Sequence, residues 1–152
     1  MAELLGRAIP SMNSRQVSSH SGTSDLRKIP QISIVDDDAS VRASMKRLMI
    51  SSGYRAESFP SADDLLNSGQ LQDINCIIAD VQMPKASGFD MQRALKGAGY
   101  RIPIIFITAF PDDKGRDYAL REGAHCYLRK PVGIDELLSC VQSAISQEGE
   151  TK

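Results

Sequence analysis

Residues 76–84 read Cys76-Ile77-Ile78-Ala79-Asp80-Val81-Gln82-Met83-Pro84. Four apolar residues in unbroken succession, rather than an alternation of apolar and polar, suit a strand covered on both faces. The run stops at an acid, and Pro84 marks a loop. The same grammar repeats on either side. Upstream, Gln31-Ile32-Ser33-Ile34-Val35 is a short strand-like run ending in Asp36-Asp37-Asp38. Downstream, Ile104-Ile105-Phe106-Ile107 follows Pro103 and ends at Thr108, and His125 to Leu128 runs into Lys130-Pro131. Tyr54 to Phe59 reads as a further strand.

Helix-period stretches fill the gaps. Ser40 to Ser52 places Val41, Met45, Leu48 and Met49 on one face, and Gly53 stops it. Ser61 is a good N-cap for a short helix carrying Leu65 and Leu66, ended by Gly69. Phe89, Met91, Ala94 and Leu95 mark the next helix, closed by Gly97 and Gly99. A weaker one runs from about Asp112 to Glu122. Ile134, Leu137, Leu138, Val141, Ala144 and Ile145 form the stripe of the last. Five strands alternating with five helices predict an α/β fold with a doubly wound parallel sheet. Right-handed crossovers put every strand C-terminus along one edge, where ligands bind in open α/β sheets.

The bulk numbers fit this reading. The chain of 152 residues is 41% hydrophobic and 24% charged, with 18 basic against 19 acidic residues. A formal net charge of -1 gives no general attraction to nucleic acid or anionic membrane, and no apolar run has the length of a membrane span. Residues 1–28 carry six Ser with Gly, Asn, Gln and Arg and no sustained period, the composition of a disordered N-terminal arm. The domain proper is expected over residues 29–148, with a polar tail at 149–152. Cys76, Cys126 and Cys140 have no metal-ligand spacing and read as small buried hydrophobes. Unpaired thiols favour a reducing, cytoplasmic setting.

The strand ends carry the chemistry. They bring to one edge the carboxylates Asp36, Asp37 and Asp38, the isolated carboxylate Asp80, the hydroxyl of Thr108 and the ammonium of Lys130. Carboxylates held close together repel and lose ionisation unless a cation intervenes. Hard oxygen ligands with room for water suit Mg²⁺, which also neutralises an incoming phosphoryl group. Asp80 is then placed to attack phosphorus and form an aspartyl phosphate. Thr108 and Lys130 would hold phosphoryl oxygens, so that catalysis comes from positioning and electrostatics. Asp36 to Asp38 as a plain helix-capping run, and Lys130 as a solvated lysine, are the bland alternatives.

From about Ile32 to Gln147 the chain resembles a response-regulator receiver domain of two-component signalling. The likeness rests on Ile34-Val35-Asp36-Asp37-Asp38, Asp80-Val81-Gln82-Met83-Pro84 with Ser87-Gly88, Ile107-Thr108-Ala109 and Tyr127-Leu128-Arg129-Lys130-Pro131. Around Asp80 and Thr108 it is similar to receivers of nitrogen-fixation regulators. The resemblance implies a flavodoxin-like (βα)5 sheet of order 2-1-3-4-5. It makes Asp80 the phosphoacceptor, and Asp36, Asp37, Asp80 and the Gln82 backbone carbonyl the Mg²⁺ ligands. Thr108 becomes the switch hydroxyl, Tyr127 the aromatic that moves inward with it, and Lys130 the phosphoryl-pairing cation, with a cis Lys130-Pro131 bond. Partners would be a sensor histidine kinase or phosphotransfer protein and a downstream protein target. The resemblance also implies no direct binding of nucleic acid, a monomer or weak homodimer, and no enzyme activity beyond the domain's own phosphorylation and dephosphorylation.

Two positions depart from the family pattern. Val132 stands where an aromatic commonly follows Lys-Pro. Phe110, two residues past Thr108, puts a bulky apolar group near the water path and predicts slow loss of the phosphoryl group. Tyr118, Arg121, Glu122 and Tyr127 are candidates to be read by a partner. A freestanding receiver without a DNA-binding output is expected. The alternatives are the receiver half of a DNA-binding transcription regulator and a small haloacid-dehalogenase-like phosphatase using Asp36. The latter needs an acidic pair after its lysine, whereas Asp112-Asp113 precedes Lys130.

Overall fold

The computed structural model describes Ile9 and residues 28–150. Five strands form one parallel sheet: β1 (Gln31–Val35), β2 (Arg55–Phe59), β3 (Cys76–Asp80), β4 (Ile104–Thr108) and β5 (Cys126–Arg129). Their spatial order is β2-β1-β3-β4-β5, as the resemblance implied. The helices are α1 (Ala39–Ser51), α2 (Ala62–Leu66), α3 (Gly88–Gly97), α4 (Asp113–Arg121) and α5 (Ile134–Glu150). A 3-10 turn at Leu71–Asp73, absent from the sequence reading, precedes β3.

The unbroken apolar runs serve two cores at once, because successive strand residues point to opposite faces. Ile77 and Ala79 of β3, with Ile104 and Phe106 of β4, pack against Leu65 and Leu66 of α2, Met91, Ala94 and Leu95 of α3 and Ala119 of α4. Cys76 and Ile78, with Ile105 and Ile107, face Met45 and Met49 of α1 and Leu137, Val141 and Ala144 of α5. A helix layer on each face is what holds the central strands so far from solvent that all of β1, β3 and β4 is buried.

Side-chain caps open α2, α3 and α4, the one at Ser61 as expected, while Gly97 lies inside α3 and does not close it. Ser61 accepts a hydrogen bond from the Asp64 N–H at the start of α2. Ser87 and Asp90 form a reciprocal capping box on α3. Asp112 caps α4 through the Gly115 N–H, so the helix begins at Asp113, one residue inside the expected start. The strand limits differ from the sequence reading by a residue. Tyr54 lies before β2, and β5 begins at Cys126 rather than His125.

The arm expected over residues 1–28 lies outside the described residues apart from Ile9 and Lys28. Ile9 is itself buried with the core on the α2–α3–α4 face. Of the tail, Gly149 and Glu150 continue α5, and Thr151 and Lys152 lie outside. Among the described residues no helix is long and apolar enough to cross a membrane.

Candidate functional site

Strand register decides which side chains meet. Val35 is paired with Ala79, so Asp36, the next residue after β1, stands beside Asp80 at the end of β3. Asp80 pairs with Ile107, which puts Thr108 one step further along β4. Thr108 pairs with Arg129, and Lys130 follows directly, its N–H donating to the Thr108 carbonyl at 2.8 Å. Four segments distant in sequence therefore deliver their polar residues to one edge.

The three consecutive acids divide their work. Asp38 is the N-cap of α1, accepting from the N–H groups of Ser40 and Val41. Those bonds, led by the one from the Ser40 hydroxyl, hold its carboxyl below the usual range. The capping reading thus applies to Asp38 alone. Asp36 and Asp37 instead join Asp80, with one carboxylate oxygen from each lying within 4.8 Å of the others. Asp36 and Asp80 are buried and Asp37 is exposed.

Lys130 lies between two of these acids. Its Nζ donates to Asp36 Oδ2 at 3.1 Å and to Asp80 Oδ2 at 3.2 Å. Burial alone would lower its pKa, but the hydrogen bond and charge of Asp36 and the charge of Asp80 outweigh that and raise it. Asp80 moves the other way from a simple ion pair. Burial pushes its pKa up, Asp36 adds to the rise, and Lys130 offsets them only in part. One ammonium between two carboxylates leaves the site short of positive charge. That shortfall, and a donor set of hard oxygens open to water at Asp37, fit a divalent cation such as Mg²⁺.

Two contributors were not legible in the sequence. Gln82, expected to offer only its backbone, uses its side chain: Thr108 Oγ1 donates to Gln82 Oε1 at 2.7 Å. The Gln82 N–H donates to Asp80 Oδ1 at 3.2 Å, so this residue links the hydroxyl to the carboxylate. Arg42, one turn into α1, donates from Nη1 to the Asp36 carbonyl at 2.8 Å and fixes the β1–α1 turn. Neither carries a sequence signal, because each depends on where a long side chain reaches after folding.

Gly88 has a reason to be glycine. A Cβ there would lie 2.7 Å from the Asp80 carbonyl oxygen and 2.8 Å from Phe106 Cε1. The β3–α3 loop can fold back on Asp80 only without that carbon. The Lys130-Pro131 peptide is cis.

Tyr127 is buried within the α2–α3–α4 core, its hydroxyl against Gly115 in the first turn of α4. Burial raises its pKa, and contact with the Asp112 backbone partly counters this. The ring is already inside, so the inward travel expected of it starts from an inward position. Phe110 is 75% exposed, and its N–H donates to Thr108 Oγ1 at 3.0 Å. Of the candidate recognition residues, Tyr118 and Glu122 are partly engaged. The Tyr118 hydroxyl accepts from Arg93, and Glu122 accepts from Lys96, tying α4 to α3, while Arg121 is exposed. Val132 packs against the α1–α5 core.

Comparison with known proteins gives one consistent answer. The profile described as response regulator receiver domain matches residues 32–142. The response regulator protein TodT of Pseudomonas putida is 40% identical over 114 residues, which are 75% of this chain and 50% of that protein. The transcriptional regulatory protein TdiR of Thauera aromatica is 36% identical over 117 residues, 77% of this chain and 52% of that one. The chain therefore spans about half the length of these relatives. The crystal structure of a response regulator receiver protein from Burkholderia phymatum superposes with a TM-score of 0.68 at 40% identity, covering 77% of this chain and 95% of that one.

Proposed function

Since this chain belongs to the response regulator receiver domain family, we propose that it takes a phosphoryl group on Asp80 and passes the event on by a change of shape. The receiver unit is placed at residues 29–148. The reading is carried by one observation: the ends of β1, β3, β4 and β5 deliver Asp36, Asp80, Thr108 and Lys130 to a single edge, with Lys130 bonded to both acids. Family membership favours this over the phosphatase alternative.

The donor is a phosphohistidine of a sensor kinase or phosphotransfer protein. An Asp80 carboxylate oxygen attacks phosphorus, a P–O bond forms, and the P–N bond to the donor imidazole breaks. Asp36, Asp37 and Asp80, with the Gln82 carbonyl, would hold Mg²⁺, which supplies neutralisation of phosphoryl charge. Lys130 stays protonated, since its pKa is raised, and its Nζ is free to exchange the Asp80 oxygen for a phosphoryl oxygen. Burial keeps competing water from Asp80.

The switch begins at Thr108. Before phosphorylation its hydroxyl proton is given to Gln82. A phosphoryl oxygen is a stronger, charged acceptor, so the hydroxyl turns from Gln82 to Asp80. The end of β4 and the neighbouring β5 follow, and Tyr127 locks the new position beneath Gly115. This is a shift between two populations, and its output is the α4–β5–α5 surface. The expectation of a freestanding receiver gains no support from the relatives, in which the matched segment is about half of a larger protein. The proposed output is protein contact, either with another protein or with a segment joined to this domain.

Intact mass after incubation with a small phosphodonor and Mg²⁺ tests the assignment. A gain of one phosphoryl, about 80 Da, is expected for the wild type and is absent from Asp80→Asn and from EDTA-treated protein. A variant lacking Asp80 that gains the same mass ends the proposal.

A further inference from the structure

We infer that Cys126 and Cys140 form a dithiol site that closes to an intramolecular disulfide on exposure to a peroxide. Cys126 opens β5 and Cys140 lies in α5, and their Sγ atoms are 2.8 Å apart. A disulfide bond is about 2.05 Å long, so closure asks for less than about 1 Å of sulfur movement. Both residues are partly buried and pack on the same core cluster. Beside the pair, His125 Nε2, one residue before Cys126, and Ser143 Oγ, three residues after Cys140, are 3.0 Å apart. The sulfurs are thus presented to each other by a strand and a helix already fastened at this point, and not by a loose loop.

One sulfur of the pair is also reachable. Cys126 lines an open groove of about 670 Å³ whose walls include Pro111, Arg116, Leu120, Arg129 and Glu136. Burial, and then the facing Cys140 thiol, push the Cys126 pKa up to about 12. One of the two thiols attacks the peroxide, the O–O bond breaks, and a sulfenic acid and one water (from hydrogen peroxide) result. The second Sγ then attacks that sulfur, the S–S bond forms, the S–O bond breaks, and the leaving hydroxide departs as water with the second thiol's proton. Two thiols are oxidised by two electrons, and one peroxide becomes two waters.

The closed loop runs from Cys126 through Lys130 and Pro131 to Cys140. Oxidation would staple the segment that carries Lys130 to the body of α5. The site itself does not depend on the phosphoryl reading. The third thiol, Cys76, is buried in β3.

The test is thiol counting and peptide mapping of the full chain after brief treatment with hydrogen peroxide. Native protein is quenched, denatured and alkylated without reductant. The expected result is a fall from three alkylatable thiols to one, an intact mass lower by about 2 Da before alkylation, and a cross-linked peptide pair containing Cys126 and Cys140. Dithiothreitol restores all three. Cys126→Ser and Cys140→Ser each abolish the cross-link, and Cys76→Ala retains it. Three remaining thiols, a sulfinic acid at either Cys126 or Cys140 without a cross-link, a bridge between two chains, or a bridge that includes Cys76 would each overturn the inference.

Discussion

Replacing Lys130 with alanine removes the ammonium lying between two buried carboxylates. In the wild type Nζ stands 3.1 Å from Asp36 and 3.2 Å from Asp80. Without it, two carboxylate oxygens face each other within 4.8 Å. At an effective dielectric constant of about 20 their repulsion is roughly 3.5 kcal/mol. The alternative, protonating one acid at pH 7 from an ordinary pKa near 3.9, costs about 4 kcal/mol. Neither escape is cheap, so Lys130→Ala is expected to lose about 3 kcal/mol in metal-free buffer at pH 7, in line with breaking a buried ion pair.

The sign of the pH dependence follows from the same charges. In the variant the folded pKa of one carboxyl is raised above its unfolded value, so the penalty is full at neutral pH. It shrinks as pH falls through the raised pKa and vanishes below the unfolded value, about 3.9. In the wild type the raised pKa of Lys130 means that its contribution is present below the ordinary lysine range and is lost as pH climbs through the raised value. Urea unfolding at pH 7 and pH 4, with and without Mg²⁺, measures all of this. Mg²⁺ should stabilise the variant more than the wild type, because it meets two unscreened acids. A variant within about 0.5 kcal/mol of wild type at pH 7 without metal, or one whose deficit is unchanged at pH 4, would refute the electrostatic account.

Gln82→Ala removes the acceptor that holds the Thr108 hydroxyl; if that bond is worth about 1 kcal/mol, the switch equilibrium moves roughly five-fold toward the phosphorylated-like state, read as a larger phosphorylated fraction at fixed phosphodonor, and an unchanged fraction contradicts the latch. Gly88→Ala drives a methyl group into the Asp80 carbonyl and Phe106, so a loss of about 1–3 kcal/mol is expected, and thermal unfolding indistinguishable from wild type would show that the β3–α3 loop has room to move. Phe110→Glu exchanges an exposed apolar ring next to Thr108 for a group able to orient water, and phosphate release should quicken several-fold; equal half-lives for the two proteins would remove Phe110 from the account of slow dephosphorylation.

Periodicity alone was enough for the alternation of strands and helices, because an unbroken apolar run such as Ile104-Ile105-Phe106-Ile107 has no stable place except between two helix layers. It was enough also for the residue types at the strand ends, since Asp80 and Thr108 directly follow such runs, Asp36 follows Ile34-Val35, and Lys130 follows Tyr127-Leu128-Arg129, which leaves the sheet's apolar interior at Arg129. What a linear pattern lacks is register and reach. That Asp38 caps a helix while Asp36 and Asp37 turn to Asp80 depends on where the chain leaves β1. That Gln82 contributes its amide oxygen, and that Arg42 secures the Asp36 carbonyl, depends on where long side chains end. The three cysteines read as small hydrophobes, two of them in strand-like apolar runs, yet folding brings Cys126 of β5 and Cys140 of α5 together. Burial pattern is a local property written in residue order; contact between groups 14 to 94 positions apart is set only when the sheet has closed.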